Sequence, residues 1–259
     1  GGTSCVRWCL RLDTEDVYAA KVFNTSLPEQ SRLLSAELRA LQAVDSPCVI
    51  GFHGAWSKEN YVFLLLDAMH LGSLFDMIYV SGKYFCSAPG VRWRHRRSEA
   101  DRPRQRDSGD EGKAMLAISY QLLLGLRDIH AVGLVHRDVK PSNVLVSTCG
   151  SVKLADFGTS SFETETASSI AGTFRYMPPE GMTQAIPGPE GDLWGAGMVI
   201  AELVTHRVPF SSCDTHVEIM QLVKESDDEA IVRQLLPEGH GAPESITGLV
   251  RTSLANSMR

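Results

Sequence analysis

His136-Arg137-Asp138-Val139-Lys140-Pro141-Ser142-Asn143 is the stretch on which the reading of this chain turns. It follows a long helical pattern directly and sets an Asp, a Lys and an Asn within six residues. A loop of that kind gathers a base, a cation and a metal-binding amide around one reacting centre. Phosphoryl transfer needs such a set, because it asks for positioning and charge neutralisation and for little covalent chemistry. Thirteen residues past Asn143 stands Asp156-Phe157-Gly158, preceded by the strand-like Val152-Lys153-Leu154-Ala155. A carboxylate at a strand end, followed by Gly, suits a divalent metal that bridges phosphates.

Working outward, the residues before the loop read as a helix. Met115, Ile118, Leu122, Leu126 and Ile129 form one stripe at steps of 3 and 4. Beyond the loop, Leu193 to Val204 is apolar nearly all round with only Glu202 charged, the pattern of a helix at the centre of a helical lobe. Toward the N-terminus the period shortens. Val17 to Phe23 and Tyr61 to Leu66 read as buried strands. Between them, Pro28 to Val44 carries Leu34, Leu38 and Leu41 at helical spacing, with Glu37 on a nearby face. A strand-rich unit followed by a helix-rich one predicts an α+β protein.

Composition narrows the function. The chain has 259 residues, 43% of them hydrophobic, with net charge −6. That charge argues against a nucleic-acid partner. No apolar stretch is long enough to span a bilayer. The six cysteines, Cys5, Cys9, Cys48, Cys86, Cys149 and Cys213, show no C-x-x-C pair and no metal-ligand rhythm with the histidines. They read as reduced thiols of a cytoplasmic protein. Gly82 to Gly112 breaks the periodicity with Arg92, Arg94, Arg96, Arg97, Arg102, Arg104 and Arg106, and reads as a solvated, disordered insert or a basic docking or nuclear-import element.

The loop and the Asp156-Phe157-Gly158 tripeptide together resemble the protein kinase family, and the resemblance extends over most of the chain. It implies a two-lobed fold with a small β-rich N-lobe over residues 1–66, a hinge at 67–70 and a larger α-helical C-lobe over 71–259. Tyr18-Ala19-Ala20-Lys21 is similar to the family's strand lysine motif, so Lys21 is expected at the phosphates of ATP, with Glu37 as its helix partner. Alone, Lys21 reads as a strand-edge lysine and Glu37 as a solvated helix glutamate; their order and spacing reverse that. The resemblance makes Asp138 the catalytic base and Lys140 the cation beside it, with Asn143 and Asp156 as ligands to Mg²⁺. Ala19 and Leu145 are expected to sandwich the adenine, Leu66 to be the gatekeeper, and Asp67 to Met69 to meet the adenine edge through their backbone, with Ser73 beyond them. Leu41, Phe52, His136 and Phe157 match the family's stacked hydrophobic spine. Asp192 reads both as a helix N-cap and, by resemblance, as the residue that holds the catalytic loop.

Counting back from Val6, the Gly-rich loop over the phosphates reads Gly1 at its second glycine, then Gly2, with Ser4 at its third. Its first glycine is expected before residue 1, and the arginine that pairs with Glu180 just past Arg259. The chain therefore reads as clipped at both ends, with a buried carboxylate left unpaired. Pro178 stands where the family usually has Ala. Lys140 after His136-Arg137-Asp138 resembles the serine/threonine kinases, and the strings Val135 to Val146, Ser46 to Ala55 and Gly72-Ser73-Leu74, with the segment Gly172 to Met177, resemble the MAP kinase kinases. Ser169, three residues before Gly172, falls where such proteins are phosphorylated by an upstream activating kinase, and Ser169→Ala is expected to lower activity about tenfold if that phosphate orders the loop. The resemblance implies ATP as co-substrate and a protein substrate, a MAP kinase phosphorylated on Thr and Tyr. The alternatives are an upstream Ser/Thr kinase of the same group and a pseudokinase scaffold.

Overall fold

The computed structural model describes residues 5–80, 108–163, 173–183, 187–237, 239 and 242–257. Gly1, Gly2, Ser4, Ser169 and nearly all of the arginine-rich stretch lie outside them.

The N-terminal part is a four-stranded antiparallel sheet in the order β1-β2-β4-β3. Its strands are β1 (Cys5–Leu10), β2 (Val17–Asn24), β3 (Phe52–Lys58) and β4 (Tyr61–Asp67). In register, Lys21 of β2 lies between Val6 of β1 and Leu64 of β4, and Ala19 lies between Trp8 and Leu66. Side chains opposite one another share a face of a sheet, so Val6, Ala19, Lys21, Leu64 and Leu66 belong to one face. Helix α1 (Pro28–Ala43) begins with Pro at its first position, where a missing N–H costs nothing, and buries Leu34, Glu37, Ala40 and Leu41.

The remainder is helical, with short strand pairs. In chain order come α2 (Ser108–Ala131), β5 (Leu134–Val135), β6 (Val144–Val146), β7 (Val152–Leu154), β8 (Ser161–Phe162), α3 (Pro189–Thr205), α4 (His216–Glu225), α5 (Asp228–Leu235) and α6 (Glu244–Ser257). The pairs are β5 with β8 and β6 with β7. One core runs from Phe23, Leu34, Leu41 and Leu64 through Leu74, Leu122 and Leu126 to Leu154, Phe157 and Leu203. A second gathers Trp194, Met198 and Ile200 of α3 with Ile219, Ile231, Ile246, Val250 and Leu254. As its all-round apolar pattern predicts, α3 is buried over almost its whole length. The α+β architecture holds.

Two expectations change. Helix α2 starts at Ser108, inside the stretch read as an insert, because Gly109 and Gly112 postpone the apolar stripe to Met115. Gly112 also lets the helix pass close to Pro243, whose Cγ would stand 3.0 Å from an added Cβ. Asp192 is not an N-cap: α3 begins three residues earlier, its cap is Gly188, and no side chain caps it. The carboxylate is thereby free of the helix end and turned to the catalytic loop.

Candidate active site

The residues expected at the phosphates are built around β2. Lys21 Nζ lies 2.7 Å from Glu37 Oε2 and 2.8 Å from Asp156 Oδ1. Glu37 is fully buried and Lys21 nearly so. Burial pushes the ammonium toward neutrality, but attraction to Glu37 and Asp156 outweighs it, and Lys21 is held above its ordinary value. Burial raises Asp156 in the same way, and the ammonium of Lys21 more than offsets this, so Asp156 sits below the usual carboxylate range. Asp156 has φ +67° and Arg137 φ +69°. Non-glycine residues take that conformation at a cost of about 1–3 kcal/mol, and only where their surroundings demand it.

Asp138 receives a full set of donors. Oδ2 accepts from Lys140 Nζ at 2.5 Å and from Asn143 Nδ2 at 3.2 Å. Oδ1 accepts from the backbone N–H of Thr173 at 3.1 Å and from its hydroxyl at 3.2 Å. Asn143 Nδ2 also donates to the Asp138 carbonyl at 2.8 Å, and Lys140 to Thr173 Oγ1 at 3.0 Å. The carboxylate is thus fixed between loop and Thr173 before any substrate arrives.

His136 links this loop to the core. Its ring lies 4.9 Å from that of Phe157. Its Nδ1 accepts the Asp138 N–H at 3.3 Å, so Nε2 carries the proton donated to the Ala155 carbonyl at 3.1 Å. Leu41 and Phe157 are buried in one core, with Phe52 packed against it. Asp192 accepts the N–H groups of His136 and Arg137, each at 2.8 Å.

The residues expected around the adenine lie at the end of β4 and on β2 and β6. Leu66 and Met69 are buried, while Leu145 of β6 and Ala19 are half-buried. Val6 remains exposed on β1 opposite Lys21. Ser73 is committed to the turn that follows it: its N–H and hydroxyl both donate to Asp76 Oδ2, at 2.9 and 2.6 Å. Asp67, expected to act through its backbone, has a carboxylate with several partners of its own. Thr173 is a functional residue that the sequence pattern does not reveal: its bonds to Asp138 join residues 35 positions apart.

Pro178 is buried beside Gly191, where an added Cβ would stand 3.1 Å from its Cγ. Glu180 is only partly buried and has an interaction partner, which corrects the expectation of an orphaned buried carboxylate. Burial nevertheless raises it above the ordinary range.

Asp156 and Asn143 fit a divalent ion. Both present hard oxygen donors: the amide nitrogen of Asn143 donates to Asp138, and its carbonyl oxygen, which meets the Ser142 hydroxyl at 3.5 Å, keeps a second lone pair for a metal. Mg²⁺ characteristically takes one or two such protein ligands and completes its shell with water and phosphate. Among the described residues no cluster of three or more His, Cys, Asp or Glu forms an all-protein metal cage.

Asp138 held by Lys140, Asn143 and Thr173, together with the Lys21–Glu37 pair and Asp156, is the set of side chains expected of a phosphotransferase site. The protein kinase domain family matches residues 1–258, and the chain belongs to that family. Within it, the chain is 33% identical over 216 residues to the dual specificity protein kinase FUZ7 of Mycosarcoma maydis, covering 82% of this chain and 43% of that protein. It is 31% identical to the MAP kinase kinase skh1/pek1 of Schizosaccharomyces pombe, over 81% of this chain and 53% of the other. With mitogen-activated protein kinase kinase 1 of Arabidopsis thaliana the identity is 29%, over 76% and 50%. The chain spans about half the length of the curated relatives it matches. Among the described residues no helix is long and apolar enough to cross a membrane.

Proposed function

We propose that this chain is the catalytic domain of a protein kinase of the MAP kinase kinase type, which moves the γ-phosphoryl group of ATP to Ser or Thr and to Tyr of a MAP kinase activation loop. The observation that carries the reading is the bridge from Lys21 to both Glu37 and Asp156, in a molecule where Asp138 is already held by Lys140, Asn143 and Thr173. A scaffold that only binds partners has no use for so complete a set.

In this reading Lys21, kept charged and aimed by Glu37, steadies the α- and β-phosphates. Asp138 orients the substrate hydroxyl and takes its proton as the oxygen attacks the γ-phosphorus. Lys140 neutralises charge on the transferring group, and ADP leaves. Asp156 and Asn143 would hold Mg²⁺, which when bound supplies electrostatic neutralisation of the phosphates. Leu66, Met69, Ala19, Leu145 and Val6 enclose the adenine. Ser169 is the proposed site of activation by an upstream kinase.

The test is phosphosite mapping by mass spectrometry. The protein carrying Ser169→Asp is given Mg-ATP, a panel of catalytically inactive MAP kinases and a generic protein substrate, with Asp138→Asn as control. Phosphate on Thr and Tyr of one MAP kinase loop, absent from the control, establishes the reading. Phosphate only on Ser or Thr of the generic substrate moves the protein to the upstream kinases. Folded protein with no transfer makes it a scaffold.

A further inference from the structure

Asp67 ends β4 where the chain leaves the sheet, and its carboxylate is the centre of a polar knot. Oδ2 accepts the Gly51 N–H at 2.8 Å and Lys153 Nζ at 2.8 Å, and Oδ1 meets His53 Nε2 at 2.7 Å. The backbone N–H of Asp67 in turn donates to the Gly51 carbonyl at 3.1 Å. This approach leaves no room for a side chain at 51, since an added Cβ would lie 2.6 Å from Asp67 Oδ2. The ring of Tyr18 covers the back of His53 edge-on, with centroids 4.8 Å apart. Asp67 and Lys153 are both partly buried, their side chains 24% and 19% exposed, so water screens the pair weakly.

The partners matter because of where they sit. Lys153 is on β7, three residues before Asp156. The segment that carries Gly51 is itself stitched to β7, through Ile50 N–H to the Leu154 carbonyl and Leu154 N–H to the Cys48 carbonyl, both at 2.9 Å. One carboxylate therefore joins the end of β4 to the strand that delivers the metal-binding Asp156.

We infer that Asp67 and Lys153 form a positioning pair that fixes the spacing between the adenine end and the phosphate end of the cleft, and so sets affinity for a nucleoside triphosphate. The inference rests on the reading of that cleft as a nucleotide site. A bound nucleotide spans both ends at once, and a cleft whose length is set beforehand binds it without the entropic cost of fixing that length.

The experiment compares the wild type with Asp67→Asn, Lys153→Met, their double variant, Lys153→Arg and Gly51→Ala. Binding is measured by titration with a fluorescent ADP, with Mg-ATP kinetics and melting temperature alongside. Each of Asp67→Asn, Lys153→Met and Gly51→Ala is expected to weaken fluorescent ADP about five- to tenfold, the scale of a coupled pair of neighbouring side chains. KM for ATP rises with it, and in Lys153→Met and Gly51→Ala kcat stays within about twofold because Asp138 and its partners are untouched. The double variant is no worse than the worse single, and Lys153→Arg keeps wild-type affinity. Unchanged affinity in Lys153→Met, additive losses in the double variant, or a loss in kcat with KM unaltered overturns the pair. Should Asp67→Asn not fold, Lys153→Met and Gly51→Ala still decide the matter. A folded wild type that does not bind fluorescent ADP overturns the nucleotide-site reading itself, and the pair with it.

Discussion

Asp192 Oδ2 lies 2.8 Å from the backbone nitrogen of His136, 56 residues earlier in the chain. The other carboxylate oxygen takes the N–H of Arg137, and His130 Nε2 closes on Oδ2 at 2.8 Å. Arg137 stands at φ +69°, a conformation that must be held from outside. A carboxylate 1% exposed, rooted in a helix buried over most of its length, does the holding. Helix α3 thus serves as the base plate of the catalytic loop.

Replacing Asp192 by Ala strands two backbone N–H groups in the interior. The expected loss is about 2–4 kcal/mol of stability, from the desolvation penalty of unsatisfied buried donors. Turnover should fall further than stability explains, since the loop carrying Asp138 is released. Urea unfolding and single-turnover kinetics on the same preparation check both; wild-type turnover in a destabilised Asp192→Ala protein contradicts the base-plate role.

Lys21 and Glu37 separate stability from activity. Lys21→Met leaves Glu37 buried without its cation, at an expected cost of about 3–5 kcal/mol. Lys21→Met combined with Glu37→Leu removes both charges, and should melt at or above the wild-type temperature. Both variants should lose about 10²–10³-fold in kcat/KM, the scale of one lost electrostatic contributor. A double variant that melts below Lys21→Met contradicts this account.

The parts of this site that could be read in the sequence are those whose chemistry is bound to spacing. Asp138, Lys140 and Asn143 fall on one short loop, so their meeting is a matter of local geometry, while Lys21 sits on a strand with a plain apolar pattern and Asp156 two residues past the end of another. The stripe of α2 and the apolar girth of α3 gave the helical part for the same reason. What escaped depends on distance along the chain or on weak local pattern. β1 turns its apolar face of Val6, Trp8 and Leu10 to the outside rather than into a core, and β3 contains Gly54 and a register shift after Phe52 that breaks its alternation. Asp192 looked like a cap because Asp near a helix start commonly is one; only the fold shows that the helix has already begun. The bonds of Thr173 to Asp138 and of Asp67 to Lys153 join residues 35 and 86 positions apart, and no local period encodes them.

Thr173 ties the segment that follows Gly172 to Asp138. Its hydroxyl donates to Asp138 Oδ1 and accepts from Lys140 Nζ. Thr173→Val removes both bonds and keeps the shape. The expected result is a fall in kcat of about 10²-fold, the scale of misplacing a reacting group by an ångström, with affinity for ATP unchanged. Thr173→Ser keeps the hydroxyl and should stay close to wild type. Equal rates for the Val and Ser variants would remove Thr173 from the machinery.

Glu202 is the one charged residue in the apolar run of α3, and its carboxyl is fully buried. Tyr79 donates to Oε1 at 2.6 Å and Tyr176 to Oε2 at 2.7 Å. The residue also lines a cavity of about 90 Å³ that Arg207, Thr205 and Phe210 share. Burial pushes its pKa up; the two phenol hydrogen bonds pull it down by less. The sign for stability follows. A carboxyl whose folded pKa stands above its unfolded value binds more protons in the folded state, so it lowers stability as pH rises from the unfolded value through the folded one. Below the unfolded value, about 4.3, the group is neutral in both states and costs nothing. Glu202→Gln keeps an acceptor for one tyrosine and a donor for the other and abolishes the titration. The stability of Glu202→Gln relative to wild type should therefore grow as pH rises from about 4, and level off once the folded carboxyl has ionised. Denaturant unfolding of both proteins across pH 4–8 measures it, the difference between them cancelling the other carboxylates. A difference that is flat, or that grows toward acid, would mean that the tyrosine hydroxyls outweigh the burial of Glu202.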